Sequence, residues 1–243
     1  MVQQSPPLRT AGLTASLLLL LAGCQPQPDT GPEHIAPAPG QPWPPFDYAT
    51  AAATGLSSFR LDPERTQIDV VVRRDGPLAR FGHDHAIALV EAEGFLLLTE
   101  PAGGSRADLR VPVARLRIDA QEARERHGLG AGPDAADIEG TRENLMRHVL
   151  DADRWPWVTV SLRAFSREGD HWSADMAIGV NGQLFTKRQP FQLRLEEDLV
   201  AVEGFMLISQ TDLGLQPFSA FGGGLRVADA LEIHFRLSAS LPD

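Results

Sequence analysis

"ADLRVPVARLRID" (107–119) is the stretch whose reading decides the fold. Ala107, Leu109 and Val111 are apolar at odd positions; after Pro112 the apolar set moves to even positions, Ala114, Leu116 and Ile118. Alternation of period two marks a strand with one buried face. A change of parity at a proline predicts a β-bulge, and bulges bend the strands of barrels. The same alternation recurs on both sides. Ile68, Val70 and Val72 share a face upstream, and Val158, Val160 and Leu162 share one downstream. "REGD" (167–170) reads as a hairpin turn, after which Trp172, Met176 and Ile178 alternate back. Phe191, Leu193 and Leu195 lead into a second turn, "EED", followed by Val200, Val202, Met206 and Ile208, and last by Leu231, Ile233, Phe235 and Leu237. About eight strands at hairpin spacing predict an all-β fold, either a sandwich or an up-and-down antiparallel barrel.

One segment breaks the alternation. "DIEGTRENLMRHVLDADRWP" (137–156) carries Leu145, Val149 and the helix formers Glu143 and Met146. It predicts a short helix over 142–150, with Thr141 as a weak N-cap and an end before Pro156. A helix inserted between barrel strands is placed to cover one mouth.

The chain has 243 residues, 43% of them hydrophobic, enough for one substantial core. A net charge of −10 argues against a nucleic-acid partner. The single cysteine, Cys24, excludes an internal disulfide, a four-cysteine zinc site and a CxxC redox pair. That cysteine ends a short apolar run (13–22) that follows Arg9. The run is too short to span a bilayer comfortably. Leu21-Ala22-Gly23-Cys24 resembles a bacterial lipobox, with an ordinary secretory signal as the alternative. The expected organisation is a lipoprotein signal peptide (1–23), a lipidated Cys24 opening a proline-rich tether (24–56), and one barrel domain (57–243). Acyl chains on Cys24 would anchor the protein to a membrane. Gln25 at the following position favours the periplasmic face of the outer membrane by analogy with enterobacterial sorting, the inner membrane being the alternative.

Three ordered elements carry a family resemblance. "IEGTRENLMRHVLDADRWPWVTVSL" (138–162) resembles a helix-to-strand element of the YceI-like, polyisoprenoid-binding-like bacterial proteins. Val149-Leu150-Asp151-Ala152 and Trp155-Pro156 stand where that family has its Leu-Asp-Ala and Tyr-Pro steps. "RFGHDHAIAL" (80–89) is similar to the Gly-His-Asn/Asp-His element of one branch. Asp212-Leu213-Gly214 and Gly222-Gly223-Gly224 before the last strand resemble its C-terminal part. The resemblance spans 59–239. It implies a lipocalin-like, eight-stranded antiparallel barrel whose tunnel holds an isoprenoid chain or another amphiphilic lipid, in the periplasm. Trp155 replaces the family's tyrosine, and the strand from Gly182 lacks its second glycine.

The candidate site residues begin with His83 and His85, which flank Asp84 at a strand start. They have three readings: polar residues satisfied by neighbouring backbone or solvent, contacts to a lipid head together with Arg80 or Arg147, or ligands of a metal or haem in a redox or stress factor. Two histidines are too few for a closed zinc site. His148, His127 and His234 read as solvent-facing, His171 opens a strand after a turn and needs no function, and His34 falls in the tether. "GLGAGP" (128–133) has spaced glycines but lacks the flanking strand and helix of a nucleotide loop, so it reads as a flexible loop. No GxSxG, HExxH or acid pair marks an enzyme. The expectation is a binding or carrier protein with no cofactor beyond a bound lipid. A structural envelope protein with an unidentified protein partner is a further alternative.

Overall fold

The computed structural model describes residues 42–242. The expected signal peptide, Cys24, Gln25, His34 and the first part of the expected tether lie outside them. Eight strands form the barrel, three of them broken into two pieces. These are β1 (Ser57–Leu61 and Gln67–Asp75), β2 (His85–Ala88 and Glu93–Leu98), β3 (Arg106–Pro112 and Arg117–Ile118) and β4 (Trp157–Glu168). Then follow β5 (His171–Val180), β6 (Gln183–Glu196), β7 (Leu199–Ser209) and β8 (Leu225–Ser240). Each strand pairs antiparallel with the next, and β8 closes on β1 through Ile233↔Val70 and Arg60↔Ser240. The predicted barrel is therefore observed, with the inserted helix between β3 and β4. A short strand, Ser219–Ala220, pairs with the start of β8.

The parity change at Pro112 has a different cause from the one expected. Pro112 still pairs with Trp157. A single 3₁₀ turn, Val113–Arg115, then re-aims the chain. A true bulge sits instead in β4, where the register breaks between Arg163 and Ser166 and Ala164 takes φ 48°. The extra residue turns Phe165 inward. Its ring meets Trp172 and Phe191 edge to face, and these aromatics close one end of the barrel.

Helix α2 spans Gln121–Arg126 and α3 spans Ala135–Asn144, continuing as a π turn over Leu145–Val149. Helix α3 starts earlier than predicted because Asp134 caps it, accepting from the Asp137 N–H at 2.9 Å. Thr141 is not the cap; its hydroxyl donates back to the Asp137 carbonyl. Leu145, Val149 and Leu150 point into the end opposite the aromatic cluster. The turn into β4 is held by the Asp151 carbonyl, which accepts from the N–H groups of Arg154 and Trp155. Trp155 then lies across Gly182, where an added Cβ would stand 2.5 Å from its ring.

The tether is shorter than expected. Residues 42–56 lie against the barrel wall, and Tyr48–Ala53 form a helix, α1. Few aliphatics occur there, but its aromatics find partners on the wall. Tyr48 is 3% exposed, stacks on Phe95 and donates to Asp108 at 2.6 Å. Arg106 covers Phe46, and Arg110 lies between Trp43 and Trp157.

Candidate functional site

The inward faces of the eight strands surround an apolar cavity of about 300 Å³, at the lower end of the range for small-molecule sites. Its wall is the set marked by alternation: Ile68, Val70, Val160, Ile178, Ile233 and Phe235 are among the lining residues. The outward face is charged and paired, as in Arg188 with Asp175 and Arg163 with Asp108. This polarity is the reverse of a membrane-spanning barrel, whose outside is apolar. Among the described residues, no helix is long and apolar enough to cross a membrane.

His85 shares the face of Ile87 and opposes Val72, but its ring is committed elsewhere. Nδ1 lies 2.6 Å from Asp119 Oδ2. An ionised carboxylate only accepts, so Nδ1 carries the proton. Asp119 also accepts from the Ala86 N–H and from Arg124, whose side chain is 5% exposed. Burial pushes the Asp119 carboxyl up, but hydrogen bonds from His85, Ala86 and Arg124 outweigh it and hold its pKa below the ordinary value. Of the readings open for His85, the structure supports satisfaction by neighbouring groups. His83 is exposed, its ring 6.5 Å from that of His85. Among the described residues, no group of three or more His, Cys, Asp and Glu gathers as metal ligands would.

Arg80 is exposed and lies over the Phe81 ring. Arg147 is exposed and pairs with Glu143 one turn back on the helix. Neither lines the cavity, nor does His83 or His85. His148 is exposed, as expected, and so is His171 at the start of β5. His127 and His234 are not fully solvated, which corrects the reading of both. Helix α2 folds back over β1, so His127 Nε2 donates to Asp69 at 2.9 Å, beside Arg126. Its ring lies against that of His234, tilted by 45° with centroids 4.5 Å apart. The "GLGAGP" loop is not free either: the carbonyls of Leu129, Gly130 and Ala131 wrap the Arg124 guanidinium. A loop that turns carbonyls inward repels phosphate, which agrees with reading it as no nucleotide site.

Sequence reasoning missed Asp69, Asp119 and Arg124, because nothing local marks a charge as buried. It also missed polar residues at inward-facing positions. Gln189, opposite Ala174, lines the cavity, as does Gln210; Lys187, opposite Met176, takes an inward-facing position of β6 without lining the cavity. Strict alternation from Phe191 back along β6 carries that signal for Gln189 and Lys187.

The geometry is that of a closed antiparallel barrel built around an apolar cavity, and solved structures share it. BcnA of Burkholderia cenocepacia aligns at TM-score 0.55 and 14% identity, over 74% of this chain and 99% of its own. A polyisoprenoid binding domain from Saccharophagus degradans, implicated in plant cell wall breakdown, aligns at TM-score 0.52 and 12% identity, over 77% and 99%. A YceI protein of Campylobacter jejuni aligns at TM-score 0.47 and 8% identity, over 65% and 85%. The chain shares its fold with the first two of these. No family model matches the sequence, and no curated protein does.

Proposed function

We propose that this protein is a lipid carrier that holds one long apolar chain, of isoprenoid or similar amphiphilic type, inside its barrel. The observation that carries the reading is the apolar cavity inside a barrel whose outer face carries paired charges. Apolar walls offer nothing to a hydrophilic ligand, while burying a chain gains about 0.8 kcal/mol per methylene. The fold shared with a polyisoprenoid binding domain supports the choice of ligand class. The lipobox-like Leu21-Ala22-Gly23-Cys24 supports membrane anchoring through Cys24 on the periplasmic side, the outer membrane being favoured.

The test is solvent extraction of the purified full chain followed by mass spectrometry. A near-stoichiometric lipid of several hundred daltons is expected, on the order of what such a pocket encloses. A chain that yields no lipid and takes none up from vesicles overturns the reading.

A further inference from the structure

The barrel wall has a seam. The ladder between β6 and β7 runs from Glu196↔Leu199 to Gln192↔Glu203 and stops. Beyond it, β6 continues on β5 and β7 continues on β8, but no ladder pair joins them. Gly204 stands at the point of divergence, where an added Cβ would meet the Phe235 ring at 2.6 Å. An outer groove lies over this point, bordered by Glu203, Phe205, His234 and Arg236. Phe191 and Phe235 border both the groove and the cavity, so their side chains stand between the two spaces.

Two polar side chains sit on the inner face of β6 beside the seam. Arg188 pairs with Asp175 on the outside of the barrel, so their neighbours Lys187 and Met176 stand at inward-facing positions; Met176 lines the cavity, while the half-buried Lys187 lies at its edge without lining it. Lys187 is the sole lysine of the chain and makes no ion pair among the described residues. Gln189 is 8% exposed and lines the cavity. Its amide donates to the Pro190 carbonyl at 2.8 Å, so that end is the nitrogen, and its buried Oε1 has no partner. A buried acceptor without a donor is costly in an apolar wall.

Building on the lipid-carrier reading, we propose that Lys187 and Gln189 hold the polar end of the ligand at this seam, with the apolar chain in the cavity. The two groups define the head chemically. Lys187 calls for an anionic oxygen, and Gln189 Oε1 calls for a hydroxyl or N–H donor. About 7 Å separates same-face neighbours on a strand, so both belong to one small head group. A single-chain lipid that carries a phosphate or carboxylate next to a hydroxyl or amide meets both. At the seam, where the ladder has ended, a head held by these two residues lies beside the groove while the chain stays in the cavity.

The test uses the full chain and two probes with the same chain and hydroxyl, 1-oleoyl-lysophosphatidate and 1-monooleoylglycerol, in equilibrium dialysis. Wild type is expected to bind the phosphate lipid more tightly. Lys187→Met should weaken the phosphate lipid about tenfold or more, the scale of a charge-assisted hydrogen bond, and leave monooleoylglycerol nearly unchanged. Lys187→Arg should restore it. Gln189→Leu should weaken both probes, because both carry the hydroxyl. Equal binding of the two probes by wild type, or a Lys187→Met protein that still prefers the phosphate, overturns the head-group assignment while leaving the carrier reading intact. Failure of wild type to bind either probe counts against both.

Discussion

His85 Nδ1 donates to Asp119 Oδ2 across 2.6 Å, and the two residues stand 34 positions apart in the chain. That bond, with Arg124 on the other carboxylate oxygen, joins the start of β2, the end of β3 and helix α2. Arg124 also donates to the Asp84 carbonyl. The histidines of "GHDH" are thereby split: one is part of the scaffold and the other faces solvent.

Arg124→Met should cost about 3–5 kcal/mol, the scale seen when one partner of a buried pair is removed. The Asp119 carboxylate would remain buried with His85 and Ala86 alone. Urea unfolding at pH 7 measures it. A cost within experimental error would mean that water or His85 replaces the arginine.

Asp69 and Asp119 should make the fold acid-sensitive. Burial raises each pKa, but paired donors lower it further, so each folded value lies below the ordinary 3.8. Unfolding therefore takes up protons. The stability they contribute is present above pH 3.8 and is lost as pH falls through the depressed folded values. Asp69→Asn should flatten the fall of the urea midpoint between pH 5 and 2. An unchanged slope would assign the acid sensitivity to other carboxylates.

His234 acts in a higher window. Burial and the neighbouring His127 lower its pKa from 6.5. The folded state then binds a proton less readily than the unfolded one. Stability should fall as pH drops below 6.5 and level off below the folded value. Ring NMR titration reads the pKa directly, and His234→Gln should remove that step from the stability profile.

Tyr48 is the sole tyrosine, so tyrosinate absorbance near 295 nm reports it alone. Burial and then the hydrogen bond to Asp108 raise its pKa above the ordinary 10.0. No tyrosinate should form until the protein unfolds in alkali. Tyr48→Phe should cost about 1–3 kcal/mol, because it takes a donor from a buried carboxylate. A free titration near pH 10 would mean that residues 42–56 do not dock.

Val160→Trp should empty the cavity of lipid without unfolding the barrel, because the added ring enters open space rather than a filled core. Ile178→Ala should cost nearer to 2 than to 5 kcal/mol, since its side chain already faces a void. Extraction for the first and thermal unfolding for the second are the measurements.

The sequence by itself determined the barrel and its inner wall. Val158, Val160 and Leu162, or Leu231, Ile233, Phe235 and Leu237, are marked by alternation alone and all line the cavity. Period two is a local consequence of the strand backbone, so one face can be read without knowing its neighbours. What stands beside that face is decided elsewhere. Asp119 reads as surface charge until Arg124 and His85 arrive from other elements, and Asp69 until α2 folds over it. The tether reads as solvated until Tyr48 meets Asp108, 60 residues away. The seam between β6 and β7 has no local signature, because a strand that keeps one partner and loses the other alternates all the same. Pairing between distant segments sets which polar groups are buried and where the wall opens, and only the tertiary structure contains it.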